Sequence, residues 1–208
     1  MINEKIYLNF CEDLGPATKI VPTCKSDYIT DDDIIFSVDD DIYYPPELLQ
    51  MYLTYHLKYP NAVLTGTSLF PKRNARQFHI LEECELLEGY SCVLYKKNFL
   101  NDIPLEMFDK DTVPLYQYLS DDLVLSNFLT MKGITILCFP RSNPNIAEIA
   151  PLDYGLKDDA LHKGASGIST TCADGEFCNS TNYIETIKHL KKNKMYYLTT
   201  SELDIRRS

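Results

Sequence analysis

Apolar positions along this chain come in short runs separated by longer amphipathic stretches, the alternation expected of a sheet layered with helices. Residues 5–10 (KIYLNF), 33–38 (DIIFSV), 62–68 (AVLTGTS), 89–95 (GYSCVLY) and 134–139 (ITILCF) read as strands, rich in branched and aromatic side chains. Gly15-Pro16 opens a short helix through residues 17–21, with Pro22 near its end. Pro45 and Pro46 start the next helix, on which Leu49, Leu53 and Leu57 mark one face with Tyr52 and His56 beside them. Residues 98–103 predict a short helix, and Ser120 caps another over residues 121–132, stopped by Gly133. Ser180 or Thr181 caps a last helix with Tyr183, Ile184, Ile187 and Leu190 on one face, and residues 195–198 predict a final short strand. The mixed, polar residues 70–83 read as a loop or edge segment. Residues 141–180, rich in Gly, Asn, Asp and Ser, read largely as loop.

A chain of 208 residues with 45% hydrophobic and 24% charged positions is long enough for one complete α/β domain. Acidic residues outnumber basic ones 30 to 20, a formal net charge of -10, which speaks against a general nucleic-acid binder. No apolar run predicts a transmembrane segment, and the N-terminus lacks the apolar region of a signal peptide. The cysteines (11, 24, 84, 92, 138, 172 and 178) include no C-x-x-C pair; Cys11, Cys84, Cys92 and Cys138 lie in or beside apolar runs and read as small core hydrophobes. Reduced thiols and no leader predict a cytoplasmic protein. On that reading Asn179-Ser180-Thr181 begins a helix rather than accepting a glycan, and His56 and His189 fit helix surfaces.

The sharpest chemical signal is an apolar strand that ends abruptly in Asp39-Asp40-Asp41. Ligands of open α/β sheets bind outside the carboxyl ends of strands. Adjacent carboxylates repel one another, and a hard divalent cation relieves that repulsion. In an extended chain Asp39 and Asp41 point to one side and reach one metal, while Asp40 points away, toward a sugar or the scaffold. A solvated acidic turn is the plain alternative, and Asp31-Asp32-Asp33 reads as one. An EF-hand loop fails, because Tyr44 and Gln50 stand where Gly and Glu are needed. An aspartyl phosphotransferase is weakened by Tyr43 where a small hydroxyl residue belongs, but stays open, as does a non-enzymatic acidic metal-binding module. Asp121 and Asp122 occupy the first turn of a predicted helix, where the macrodipole alone favours them; one of them can also serve as general base toward an alcohol. Glu88-Gly89-Tyr90 leads into a strand, Gly permitting close approach of a ligand and Tyr offering a flat face to a sugar ring. His162 and Lys163 precede a Gly-rich stretch (Gly164 and Gly167, with Gly155 and Gly175 flanking) that can close over a diphosphate, His162 reaching a metal and Lys163 the phosphates.

Together, Gly15-Pro16-Ala17-Thr18-Lys19, the strand into Asp39-Asp40-Asp41-Ile42-Tyr43-Tyr44-Pro45, the segment Leu87-Glu88-Gly89-Tyr90-Ser91-Cys92 and Ser120-Asp121-Asp122 resemble the GT-A type glycosyltransferases, above all the small enzymes of large DNA viruses of the chlorella-virus type. The resemblance spans about residues 5–140. It implies one GT-A-like, Rossmann-like domain with a central mixed sheet flanked by helices, needing Mn²⁺ or Mg²⁺. It further implies a nucleotide-sugar donor, UDP-linked by family frequency, a glycan or glycoprotein acceptor, and a host-cytoplasm setting if the source is viral. Carried onto this chain, Asp39 and Asp41 match the metal and diphosphate ligands, with His162 completing the shell. Lys19, Asp40 and Lys163 match donor contacts. Glu88, Gly89 and Tyr90 line the sugar and acceptor cleft, and Asp121 or Asp122, the latter favoured, supplies the base of inverting transfer. GT-A domains open with a strand and loop that hold the nucleobase. Only 38 residues precede Asp39, so either residues 5–13 fill that role in a short form or the chain belongs to a larger parent.

Overall fold

The branched and aromatic runs at the centre of the sheet become strands that are covered on both faces. The computed structural model describes residues 7–68, 77–78, 81–152 and 179–201. Its strands are β1 (Ile34–Ser37), β2 (Ile42–Tyr43), β3 (Ala62–Thr65), β4 (Gln77–Phe78), β5 (Leu81–Cys84), β6 (Val93–Lys96), β7 (Thr135–Cys138) and β8 (Ala150–Pro151). Six of them form a mixed sheet in the order β1-β6-β3-β7-β5-β4, while β2 pairs with β8 alone. Strands β3 and β7 are parallel, with Val63 opposite Ile136. β6 runs against both β1 and β3, and β5 runs against β7. The carboxyl ends of β1, β3 and β7 therefore share one edge of the sheet, and the chain enters β6 at that same edge.

The helices are α1 (Val21–Cys24), α2 (Leu48–Lys58), α3 (Leu115–Tyr118), α4 (Asp121–Met131), α5 (Pro144–Ala147) and α6 (Asn179–Lys192). Alternating side chains of the sheet feed two cores. Val63, Val93, Tyr95 and Ile136 pack with Ile20, Val21, Val124 and Phe128 on one face. Leu64, Leu94, Leu137 and Phe139 pack with Leu48, Tyr52 and Ile146 on the other. Each fully buried Leu or Phe contributes about 1.5–3 kcal/mol. α6 adds a third cluster, Tyr183, Ile184 and Ile187 against Leu86 and Leu123, using the face the periodicity predicts. The molecule is thus a single α/β domain, a mixed sheet between helical layers.

Several expectations are corrected. The buried stripe of α2 is Leu48-Tyr52-His56, and Leu57 is 82% exposed. Tyr52 decides the rotation: its ring meets Phe36 and Phe139, and its hydroxyl donates to the carbonyls of Ser91 and Cys92, more than the leucine stripe offers. His56 is buried accordingly. Residues 7–10 form no strand and lie exposed, Cys11 with them, because alternation supplies no pairing partner. Residues 195–198 form no strand either: the Asn127 side chain donates to the Met195 carbonyl and accepts from the Tyr197 N–H, replacing a ladder. The Ser120 hydroxyl does not cap α4 but donates to the Tyr116 carbonyl of α3, a helix the periodicity does not reveal. Residues 89–91 form a tight 3₁₀ turn ahead of β6 rather than its start.

Candidate functional site

The shared carboxyl edge of β1, β3 and β7 gathers segments that are far apart in sequence. The first is the 3₁₀ turn Gly15–Lys19. Gly15 has φ +62°, and a Cβ there would lie 2.5 Å from the Tyr118 ring, so both backbone and space demand glycine. The Asp13 carboxylate accepts from the Gly15 N–H and the Tyr118 hydroxyl, which fixes the turn. At its end Lys19 places Nζ 2.8 Å from Oδ1 of Asp39, just past β1. The Asp39 N–H donates to the Tyr44 hydroxyl (2.9 Å), which in turn donates to the Tyr90 carbonyl (2.9 Å). Tyr44 thereby ties the acidic loop to the turn at 89–91. Burial pushes that hydroxyl well above its ordinary value, and the charges of Asp39 and Asp41 add to the effect. Burial likewise takes the neighbouring Cys92 thiol up to about 12.

Gly89 brings the other half into contact. Its N–H donates to Oδ2 of Asp122 (3.0 Å). A Cβ at Gly89 would fall 2.8 Å from Asp122 Oδ1 and 2.9 Å from Lys19 Nζ, so the space a side chain needs is held by two charged groups. Asp121 and Asp122 sit in the first turn of α4, where the helix dipole favours anions. Asp121 is only 7% exposed, and its Oδ2 has no hydrogen-bond partner. Asp122 is half-buried. Burial raises both carboxyls above the ordinary range; Asp121 raises Asp122 further, while Lys19 opposes the shift in both. Burial disfavours the Lys19 charge, yet Asp121, Asp122 and Asp39 more than offset it and hold the ammonium above its ordinary value. One ammonium thus serves three carboxyl groups.

Beside this cluster lies a polar wall. Glu88 is 9% exposed with Oε2 unpartnered, and burial raises its carboxyl despite Thr67 and Arg141 nearby. The Thr67 hydroxyl donates to the Tyr90 hydroxyl at 3.3 Å, and Tyr90 is 43% exposed.

The structure thus brings together Lys19, Asp39, Glu88, Gly89, Tyr90, Asp121 and Asp122. Asp40 and Asp41 lie in a turn rather than an extended strand, so strict alternation does not govern them. The Asp41 carbonyl accepts from the Leu152 N–H, next to the β2–β8 pair. His162 and Lys163, with the glycine-rich stretch around them, lie outside the described residues. Sequence reasoning missed Tyr44, although it stands within the acidic segment, and also Thr67 and Arg141. The last two follow the carboxyl ends of β3 and β7, and that position was the available signal.

Among the described residues no three His, Cys, Asp or Glu side chains form a metal cage. Asp39 and Asp41 carry carboxylates, the ligand type that hard divalent cations prefer, and Asp121 keeps a buried oxygen without a partner. Mg²⁺ characteristically takes one or two carboxylates together with substrate phosphates and water. Among the described residues no helix is long and apolar enough to cross a membrane. The chain matches no protein-family model, and no curated protein is detectably similar to it in sequence.

Proposed function

We propose that this chain is a metal-dependent, inverting glycosyltransferase that moves a sugar from a UDP-linked donor to a hydroxyl of a glycan or glycoprotein. The observation that carries the reading is the convergence of Lys19, Asp39, Gly89 and Asp122, drawn from the four segments that resemble GT-A enzymes, around one ammonium at the carboxyl edge of the sheet. Asp39 and Asp41 would hold Mn²⁺ or Mg²⁺, which when bound neutralises the leaving diphosphate. Lys19 adds a second positive charge there, and the exposed Tyr90 ring offers a face to the sugar. The unpartnered oxygen of Glu88 accepts from a sugar hydroxyl. In the transfer, the acceptor oxygen forms a bond to the anomeric carbon as the bond from that carbon to the phosphate oxygen breaks, its electron pair leaving with the diphosphate. The acceptor proton passes to Asp122, whose carboxylate is oriented by the Gly89 N–H and made more basic by burial.

Calorimetric titration with UDP, with and without Mn²⁺, tests this. Wild type is expected to bind UDP only with Mn²⁺, and Asp39→Asn and Asp41→Asn are each expected to lose that binding while remaining folded. Mn²⁺ binding without any UDP binding would instead identify an acidic metal-binding module. Unchanged metal-dependent UDP binding in both variants would remove the acidic triplet from the site.

A further inference from the structure

Lys19 already holds one oxygen of Asp39. Its Nζ lies 2.8 Å from Asp39 Oδ1, so a divalent ion that binds through that oxygen, at about 2.0–2.1 Å for Mg²⁺, competes with the ammonium for it. The ammonium also rests against the bare backbone of Gly89, within the fields of Asp121 and Asp122. Both members of the ion pair keep solvent access, with side chains 28% and 25% exposed, so the pair can exchange without unfolding. Asp121, nine-tenths buried, keeps an oxygen without a partner, so the cluster holds more acceptor capacity than Lys19 alone satisfies.

Resting on the glycosyltransferase reading, we propose that Lys19 is a resident counter-ion that couples metal binding to donor binding. A divalent ion arriving at Asp39 displaces the ammonium. The donor diphosphate, an anion brought to the same place, receives it. The flexible four-carbon stem of lysine with its rotatable donors suits such a transfer. Metal alone must remove Lys19 from Asp39 with no new anion to take it, so it binds weakly. Metal with diphosphate exchanges one ion pair for another. By linkage the effect is reciprocal: each ligand raises the affinity of the other by the same factor.

The test is Mn²⁺ titration of the whole chain, followed by calorimetry and by the EPR signal of free Mn²⁺, without nucleotide and with saturating UDP. In wild type UDP is expected to tighten Mn²⁺ binding by roughly 5–150-fold. Lys19→Met removes the charge and keeps much of the stem. It is expected to bind Mn²⁺ alone about tenfold more tightly than wild type and to show little further gain from UDP. Lys19→Arg keeps the charge and clasps the carboxylate with a planar fork, so Mn²⁺ alone binds more weakly than in wild type. This arm holds the test even if the methionine variant does not fold. Wild-type coupling that persists unchanged in Lys19→Met, or Mn²⁺ affinity in Lys19→Arg equal to or above wild type, overturns the counter-ion role and leaves the glycosyltransferase reading standing. Failure of wild type to bind Mn²⁺ even with UDP overturns both.

Discussion

Gly89→Ala separates the fold of this protein from its chemistry. The added methyl meets no backbone. It falls 2.8 Å from Asp122 Oδ1 and 2.9 Å from Lys19 Nζ, both at the ends of side chains. Ordinary contact begins at 3.4 Å, so the carboxylate must retreat by about 0.6 Å and the ammonium by about 0.5 Å. The core does not register the change, and overpacking at such a place costs about 1–3 kcal/mol, equivalent to a fall in Tm of roughly 2–12 °C for a chain of this size. The groups we propose to react, Asp122 and Lys19, register it fully. Misplacement by about 1 Å can cost 10²-fold in rate, so a shift of about 0.6 Å predicts a loss of roughly 10- to 10²-fold. Circular-dichroism melting and a sugar-transfer assay on the same preparation read both quantities. Gly15→Ala is the contrast: there φ is +62° and the clash is with the Tyr118 ring, so stability falls together with activity. A folded Gly89→Ala that transfers at the wild-type rate would refute the placement of Asp122 and Lys19 at the reacting centre.

Two further outcomes follow from the buried carboxylates. Burial alone would raise Glu85, but hydrogen bonds from Thr199 and Thr200, main chain and hydroxyl alike, outweigh it and hold the carboxyl below its ordinary 4.5. Its contribution is therefore present above pH 4.5 and lost as the pH falls through the lowered value; Glu85→Gln is expected to cost about 1.5–3 kcal/mol at pH 7, with the deficit closing in acid when denaturant midpoints are compared. Asp121 and Asp122 are raised instead, so their charged forms strain the fold at neutral pH. Asp122→Asn is expected to melt higher than wild type at pH 7.5 but not in acid, while transfer falls roughly 10²–10⁴-fold with UDP binding retained; a lower melting point at pH 7.5 with unchanged transfer contradicts both roles.

What was legible in the chain was what repeats. β3, β6 and β7 stand close to their expected positions because each is buried on both faces, and that requirement writes itself as a run of branched and aromatic residues; β1 stands close to its expected position too, though Ile34 is exposed at the sheet edge. The buried face of α6 is legible for the same reason. Interactions that occur once leave no periodic mark. Tyr44 reaching Tyr90, Asn127 holding residues 195–197 and Glu85 clasping Thr199 and Thr200 join positions 46 to 115 residues apart through single side chains. The site divides in the same way. Its acidic triplet announces itself at a strand end, but the meeting of Lys19 with Gly89 and α4 depends on strand order, which alternation does not encode.

The way the cluster is braced says which of its members can move. Asp122 is held at both ends: its carboxylate by the Gly89 N–H, its carbonyl by the Ser126 hydroxyl, which also accepts from the Leu87 N–H. The start of α4 is therefore stitched twice to residues 87–89. The Thr186 hydroxyl of α6 also reaches the Tyr116 carbonyl and the Ser120 hydroxyl, tying the residues just before α4 to α6. On the opposite side, Tyr44 holds the Asp39 backbone against the Tyr90 carbonyl. The backbones carrying the carboxylates are thus tied into the fold, while Lys19 projects from a short turn on a stem whose only direct bond is to Asp39 among the described contacts. Repulsion among fixed anions is relieved by moving a cation more readily than by moving the anions. A cluster built this way answers a change of charge through the lysine and leaves the carboxylates in place.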